Sequence, residues 1–323
     1  MPARRRRPTT AFVLSGGASL GAIQVGMLRA LYERGITPDL IVGTSVGALN
    51  AAFVASRPPT VGTADALGEV WRGLRRGRLF PVDPLTGLLG LAGARDHLVP
   101  GRALRGVVSR HLEFDRLEDA PVPLHVIATD VLTGEEVRLS RGPALDAVMA
   151  SAAIPGVLPT VDWDGRVLMD GGVSNNAPLS HAVDLGARRV YVLPSGHACD
   201  LAEPPRSAIA MLVHATSLLV QRHLDADLAR LGGLAEVVVL PPPCPLAVQP
   251  FDFGHAELLI RRALADARAF LDARRRDARP RTGERGASAA APRPRPAPLP
   301  DQRLRRLHAG DPVAAHPIGG VGA

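Results

Sequence analysis

The stretch Gly43-Thr44-Ser45-Val46-Gly47 has the residue types and spacing that could create a nucleophile. A serine hydroxyl holds its proton tightly, so it attacks a carbonyl only when it is exposed and a base lies within hydrogen-bonding reach. Small residues two positions before and after Ser45 permit a sharp turn from an apolar strand into a helix. An ordinary glycine-rich turn could have the same sequence, so this motif alone leaves both interpretations open.

A second glycine-rich stretch, Ser15-Gly16-Gly17-Ala18-Ser19-Leu20-Gly21, also lies between a predicted strand and a predicted helix. Backbone N–H groups at such a turn can bind an anion. One interpretation is a nucleotide-binding loop. A phosphate loop would end in Gly-Lys-Ser/Thr, which is missing here. A dinucleotide fingerprint would need glycine at position 18 and an acidic residue about twenty positions on to bind the ribose, for which Asp39 is not a convincing candidate. The other interpretation is an oxyanion hole beside Ser45, because the carboxyl ends of adjacent parallel strands share one sheet edge.

The general base must come from elsewhere in the chain. Asp170 follows an apolar strand and precedes two glycines, and a carboxylate at a buried strand end is costly unless it is paired or used. The alternative is an aspartate that only hydrogen-bonds its own turn. No histidine has a distinctive setting, and a surface or packing role is favoured for each of His125, His181, His197, His214, His223 and His255.

The hydrophobic pattern predicts an α/β protein. A buried strand at 10–15, a helix at 21–34, a strand at 38–43 and a helix at 46–55 imply a parallel sheet covered by helices. The alternation resumes after residue 120 with strands at 123–131, 135–140, 166–172, 188–194 and 236–241, and with helices at 143–152, 178–186, 206–231 and 255–276.

Residues 57–120 are less regular, and loops with a short helix packed on the body of the protein are expected there. Within them, residues 79–92 are apolar but interrupted by proline and glycine. That segment could be a lid or an interfacial patch, although packing against the body of the protein is favoured.

The positive net charge of +7 is concentrated at the two ends of the chain. Residues 4–7 are four arginines, residues 274–308 contain eleven arginines and three acids, and the stretch between them is mildly acidic. We therefore expect disordered ends at 1–8 and 277–323 around a folded domain at 9–276. The Arg-rich ends would allow peripheral contact with an anionic membrane, and no specific nucleic acid is expected.

The two cysteines, Cys199 and Cys244, predict neither a metal cluster nor a disulfide framework. The sequence favours a reduced, cytoplasmic setting and contains no apolar stretch of about 18 residues that would span a membrane. The basic N-terminus is not followed by a signal-peptide cleavage pattern. No metal or other cofactor is expected, because no ligands have suitable spacing.

Together, the three motifs resemble those of the bacterial patatin-like phospholipases, and the resemblance extends over about residues 10–275. It implies a three-layer α/β fold with a mostly parallel sheet and helices on both faces. By this resemblance, Ser45 is the nucleophile and Asp170 the base, without a catalytic histidine. Oxyanion donors would come from Gly16, Gly17 and Ala18, and the motif glycines that support the site are Gly21, Gly43, Gly47, Gly171 and Gly172.

The resemblance implies a serine hydrolase that cleaves carboxylic esters of lipids through an acyl-Ser45 intermediate. Two positions depart from the family pattern: Ala18 replaces the third loop glycine, and Leu20 replaces a basic residue common in the family. A positive φ at Ala18 would strain the loop by about 1 kcal/mol or more. An acyltransferase of related fold and a catalytically inactive lipid- or protein-binding module are the alternatives.

Overall fold

In the computed structural model, the described residues are 9–81, 83–196, 204, 206, 208–231, 233–245 and 248–277. The predicted disordered ends therefore lie outside the described residues, apart from residue 277, as do His197 and Cys199. The described strands are β1 Thr10–Leu14, β2 Leu40–Thr44, β3 Leu124–Asp130, β4 Glu136–Leu139, β5 Val161–Trp163, β6 Arg166–Asp170, β7 Arg189–Leu193 and β8 Glu236–Val239. The described α-helices are α1 Ala22–Tyr32, α2 Val46–Ala55, α3 Val61–Gly73, α4 Arg76–Leu79, α5 Pro84–Leu91, α6 Arg102–His111, α7 Ala144–Ser151, α8 Leu179–Asp184, α9 Ala208–Leu231 and α10 Ala256–Asp277.

One mixed, mostly parallel sheet of eight strands lies at the centre of the described residues. Its strand order is β5-β6-β3-β2-β1-β7-β8, with β4 also paired to β3. The five strands from β3 to β8 along this order run parallel, whereas β4, β5 and β6 join through antiparallel pairs. This architecture confirms the predicted α/β class.

The parallel strands β1, β2 and β7 are buried on both faces, which explains their nearly continuous apolar sequences. In β1, Phe12 and Leu14 contribute to one hydrophobic cluster, whereas Ala11 and Val13 contribute to the cluster on the opposite face. The first cluster also contains α1, α2, α3 and α10, and the second includes residues of α8 and α9. Period-2 alternation thus separates two helical layers around one sheet.

The register of the sheet collects strand ends at one edge. Leu14 at the end of β1 pairs with Gly43 of β2, and Thr44 at the end of β2 pairs with Ile127 of β3. The next residue of β3, Ala128, pairs with Asp170 at the end of antiparallel β6. Segments that are more than a hundred residues apart in the chain therefore meet beside the turn that follows β2.

Residues 57–120 are more helical than predicted, since they form α3, α4, α5 and α6. Glycine is frequent in α3 and α5, which lowers their intrinsic helix propensity and weakens the sequence signal. Local capping and tertiary packing compensate. The Thr60 hydroxyl accepts the Thr63 N–H at the start of α3 (3.3 Å), and Trp71 of α3 is buried in the main cluster.

Cys244 is disulfide-bonded, and the described part of the chain contains no free cysteine. The expectation of reduced cysteines is therefore wrong for this residue. Disulfide formation depends on distances in the folded protein, which the sequence position of an isolated cysteine does not give. Among the described helices, none combines the length and the hydropathy that crossing a bilayer requires.

A buried hydroxyl provides a test of the packing between α1 and the sheet. Tyr32 Oη is enclosed and has no hydrogen-bond partner among the described residues, and burial raises the pKa of Tyr32. An unpaired buried polar group costs stability, so we expect Tyr32→Phe to leave the free energy of unfolding unchanged or to raise it by up to about 1 kcal/mol. Denaturant unfolding measures the difference.

Tyr191→Phe is the matched control, because both tyrosine rings contact Phe12. Of the two hydroxyls, only that of Tyr32 is buried without a hydrogen-bond partner among the described residues. A loss of more than about 1 kcal/mol in Tyr32→Phe would show that the Tyr32 hydroxyl has a stabilising partner, and would contradict this prediction.

Candidate active site

Ser45 occupies a strained turn between β2 and α2. Its backbone has φ 54° and ψ −126°, a region that residues with a side chain rarely adopt. The Ser45 N–H donates to Ser151 Oγ (2.8 Å), and Ser151 Oγ donates to the carbonyl of Ile127 (2.5 Å). The buried Ser151 therefore links the turn to β3 and stabilises its unusual conformation.

The glycines that flank Ser45 are required by close backbone approach. A Cβ on Gly47 would collide with the backbone carbonyl of Leu14, and a Cβ on Gly43 would lie only 2.8 Å from Cα of Ala48. These contacts are with backbone atoms, which cannot move aside as a flexible side chain can. The motif spacing therefore reflects the tight packing of α2 against the ends of β1 and β2.

The hydroxyl of Ser45 donates a hydrogen bond to the carboxylate of Asp170, with an Oγ–Oδ2 distance of 2.6 Å. The other oxygen, Oδ1, accepts the N–H of Gly172 (2.7 Å). Thr129 Oγ1 donates to the backbone carbonyl of Asp170 (2.9 Å). The carboxylate is thus held by its own turn and directed at the serine.

Burial changes the acidity of this carboxyl group. Asp170 is 6% exposed, and desolvation raises the pKa of its carboxyl from 3.8 to about 6. The hydrogen bonds from Ser45 and Gly172 act in the opposite direction because they stabilise the charged form. An aspartate with a pKa of about 6 is a stronger base than an exposed one and is still largely ionised at neutral pH.

The loop after β1 lies against the same turn. A Cβ on Gly16 would lie 3.1 Å from Cβ of Ser45. Gly16 is one of the predicted oxyanion donors, and its N–H donates here to the carbonyl of Asn176 (3.1 Å). Gly17 and Ala18 keep N–H groups that have no hydrogen-bond acceptor in the described part of the chain.

The two departures from the family pattern have different consequences. Ala18 has φ 49°, so this loop contains the strain that a positive φ imposes on a residue with a Cβ, roughly 1–2 kcal/mol. Leu20 is half-buried and packs against the main hydrophobic cluster. Asp39, considered above as a ribose partner, instead accepts the N–H of Thr10 (2.7 Å).

A buried network of polar side chains stabilises the loop after β1, and the sequence did not predict it. Gln24 Nε2 donates to the carbonyls of Ser15 (2.8 Å) and Leu193 (3.0 Å). Asn50 Nδ2 donates to Gln24 Oε1 (2.8 Å), and Trp71 Nε1 donates to Asn50 Oδ1 (2.9 Å). This network connects α1, α2 and α3 to the loop. The signal in the sequence that could have predicted this network is the presence of polar residues, Gln24 and Asn50, in otherwise apolar helices.

The remaining motif glycines also occupy tight positions. A Cβ on Gly21 would contact the side chains of Val46 and Trp71, and a Cβ on Gly171 would collide with the carbonyl of Ile127. Gly172 contributes the N–H that binds the Asp170 carboxylate. These glycines allow close packing around the site, and they contribute no reactive side chain.

Three of the histidines considered above bond residues other than Ser45 and Asp170. The ring of His125 bonds Ser140 (2.7 Å), that of His181 bonds Glu136 (2.8 Å), and that of His255 pairs with Asp252 (2.9 Å). His214 and His223 lie in α9. His111, which the sequence analysis did not consider, lines the cavity described next.

An apolar cavity opens beside Ser45. Its empty volume, including the open mouth, is about 850 Å³. Most of its walls come from α2, α3, α4 and α6 and from the segment after α7. Its lining residues are predominantly hydrophobic: Leu49, Phe53, Leu67, Val70, Trp71, Leu74, Leu79, Phe80, Leu104, Val107, Val108, Leu112, Ile154, Leu158 and Phe253. Such a site fits a long apolar group attached to whatever reacts at Ser45.

This arrangement of a strained serine, a buried carboxylate partner and a glycine-rich loop is typical of a serine hydrolase. Residues 12–183, more than half of the chain, match the family profile described as patatin-like phospholipase. The chain therefore belongs to the patatin-like phospholipase family.

Curated relatives match a similar length of the chain. An uncharacterized NTE family protein of Mycobacterium tuberculosis is 33% identical over 181 residues, which are 56% of this chain and 47% of the relative. The human patatin-like phospholipase domain-containing protein 6 is 32% identical over 191 residues, 58% of this chain and 13% of that protein. The chain thus spans about half the length of its mycobacterial relatives.

Solved structures with a similar fold include VipD from Legionella pneumophila, with a TM-score of 0.44 and 14% identity over 82% of this chain and 67% of that one. Human GIVD cytosolic phospholipase A2, solved with methyl gamma-linolenyl fluorophosphonate, has a TM-score of 0.44 and 13% identity over 83% and 58% of the two chains.

The raised pKa of Asp170 predicts how stability depends on pH. The folded protein binds this proton more tightly than the unfolded chain does, so the stabilising contribution is complete below the unfolded pKa of 3.8 and is lost as pH rises through about 6. Asp170→Asn is neutral at every pH and avoids this loss. We expect the stability of Asp170→Asn relative to wild type to increase by up to about 3 kcal/mol between pH 4 and pH 7.5.

Urea unfolding of both proteins across this pH range measures the effect. Asp162→Asn, at an exposed position of β5, controls for the substitution itself. A stability difference between Asp170→Asn and wild type that does not change with pH would show that the Asp170 pKa is not raised.

Proposed function

We propose that the protein is a lipid acyl hydrolase, which cleaves carboxylic esters of lipids through a covalent acyl-Ser45 intermediate. The observation that carries this proposal is the 2.6 Å hydrogen bond between Ser45 Oγ and the buried Asp170 carboxylate, at the wall of an apolar cavity. Membership of the patatin-like phospholipase family supports the same class of substrate.

In the first half of the reaction, Ser45 Oγ attacks the ester carbonyl carbon while its proton moves to Asp170 Oδ2. The carbonyl oxygen becomes an oxyanion, to which the N–H groups of Gly17 and Ala18 donate. Each such donor typically contributes about 3–4 kcal/mol to the stability of the transition state. The tetrahedral intermediate then expels the alkoxide, which takes the proton from Asp170, and the acyl group stays on Ser45.

In the second half, a water molecule attacks the acyl carbon and gives its proton to Asp170. The new tetrahedral intermediate collapses with release of the carboxylic acid, and Asp170 returns the proton to Ser45 Oγ. One carboxylate therefore serves as base and then as acid in each half. The Gly172 N–H holds the carboxylate in place throughout, since it bonds the oxygen that does not face Ser45.

The apolar cavity is the reason for proposing that the substrate is a lipid ester. An acyl chain bound there would bury its methylene groups, each worth about 0.8 kcal/mol of transfer free energy. The strain at Ser45 contributes in another way, because it presents Oγ to the substrate without a conformational change.

The reactivity of Ser45 is tested by intact-mass analysis after treatment with a fluorophosphonate. We expect one adduct on wild type, none on Ser45→Ala, and labelling slowed roughly 100-fold or more in Asp170→Asn, because general-base catalysis is lost. The wild-type rate should rise with pH through about 6, since only ionised Asp170 accepts the proton.

Ser109→Ala is the control, since this serine lies on the exposed face of α6 and its hydroxyl bonds only the carbonyl of Gly106 (3.4 Å). An adduct that persists in Ser45→Ala, or a folded wild type that remains unlabelled, would refute the proposal. Turnover that requires an added thiol or alcohol acceptor would indicate an acyltransferase.

The role of the cavity is tested by narrowing it. Val108 is a buried lining residue on α6, and Val108→Trp should lower kcat/KM for long-chain esters by about tenfold or more while short-chain esters lose little. Val131→Trp, at an exposed position after β3, is the matched control. A p-nitrophenyl ester series measures the effect, and equal losses at every chain length would exclude this cavity as the acyl site.

A further inference from the structure

The short helix α5 directs its apolar side to solvent. Leu85, Leu88 and Leu91 recur at every third position, which places them along one face of the helix, and they are 65%, 65% and 80% exposed. The polar residue of this helix, Thr86, is instead buried at 3% exposure. This inverted amphipathicity is unusual for a helix that faces only water.

Specific contacts fix the orientation of α5. Asp83 caps its N-terminus through Leu85 N–H (3.2 Å) and also accepts the Thr86 hydroxyl (2.7 Å). After the helix, Asp96 accepts both the N–H (3.0 Å) and the hydroxyl (2.6 Å) of Thr160. The Leu98 N–H donates to the carbonyl of Gly156 (3.1 Å). Attachment at both ends therefore holds the three leucines outward.

The chain on both sides of α5 is connected to the cavity wall. Phe80, four residues before Pro84, lines the cavity, so the start of α5 is within about 14 Å of it along the chain. On the other side, the pairing with Gly156 places Leu98 next to a segment whose residues Ile154 and Leu158 also line the cavity. The segments before and after α5 are thus attached to the cavity wall, which keeps the exposed leucines in the same part of the chain as the cavity lining.

The same region is strongly basic. Residues 74–105 contain six arginines and two acids, and both acids, Asp83 and Asp96, are used in the bonds described above. Arg75, Arg76 and Arg78 are exposed and form no ion pair with any described residue. Exposed leucines beside unpaired arginines match the chemistry of a bilayer that contains anionic lipid, with its apolar interior and its phosphates.

We propose that α5 and the adjacent arginines form a membrane-docking surface, in which Leu85, Leu88 and Leu91 insert among acyl chains while Arg76 and Arg78 contact anionic headgroups. Docking brings the cavity beside the bilayer from which a lipid ester would enter; this last consequence rests on the proposed hydrolase function, whereas binding itself does not. The surface is distinct from the Arg-rich ends that the sequence analysis considered for membrane contact.

Vesicle flotation of the full chain in a Ser45→Ala background tests the proposal without lipid turnover. Vesicles of phosphatidylcholine alone and with phosphatidylglycerol provide the two surfaces. We expect L85S/L88S/L91S to lower the partition coefficient on both surfaces by roughly tenfold or more. The control L132S/L219S/L234S removes three other exposed leucines and should lose less than about threefold. Thermal unfolding of each variant confirms that it folds.

Charge reversal separates this surface from the Arg-rich ends. We expect R76E/R78E to weaken binding to phosphatidylglycerol vesicles by about tenfold, with a reduced dependence on salt, and to change binding to phosphatidylcholine little. The matched control R275E/R276E changes two exposed arginines at the end of α10. A larger loss in this control would assign the contact to the Arg-rich end.

Three other outcomes would overturn the proposal. Equal losses of vesicle binding in L85S/L88S/L91S and L132S/L219S/L234S would show that binding depends on exposed leucines in general and not on α5. A dimer in light scattering that L85S/L88S/L91S abolishes would assign the surface to a second copy of the chain. Absence of wild-type binding to either vesicle would exclude a membrane surface. Because the background cannot form an acyl-enzyme, none of these outcomes depends on whether the protein hydrolyses lipids.

Discussion

The buried hydrogen bond between Ser45 and Asp170 is the constraint on which the rest of the site depends. A carboxylate enclosed in the fold loses its hydration, and two donors, the Ser45 hydroxyl and the Gly172 N–H, replace part of it. The compensation is incomplete, so the pKa of Asp170 rises to about 6. The same energetic cost that destabilises the ionised form increases its basicity toward the serine proton.

This bond can form only because the sheet brings two distant strand ends together. Asp170 ends β6, Ser45 follows β2, and β3 lies between them as the common partner. The strained backbone of Ser45 is held by Ser151, which is in turn bonded to the Ile127 carbonyl of β3. The strained backbone of Ser45 is thus stabilised by hydrogen bonds to the regular strands of the sheet.

Two apolar surfaces complete the arrangement, one internal and one external. The cavity beside Ser45 is lined mainly by apolar side chains, and the leucines of α5 expose apolar surface to solvent. Residues 57–120 supply the exposed leucines and part of the cavity wall, and none of their described residues belongs to a strand of the sheet. The fold therefore separates the chemistry, at the strand ends, from the features that would select and capture an apolar substrate.

The sequence by itself determined the α/β class, the order of most strands and helices, and the residues of the three motifs, because these depend on local periodicity and on glycines at close backbone contacts. Only the tertiary structure decided that Ser45 and Asp170 lie 2.6 Å apart and that the Gly16 N–H is occupied. It also decided the roles of Ser151 and Asn50 and the helices of residues 57–120. These features depend on strand register, burial and long-range hydrogen bonds, which no single segment encodes.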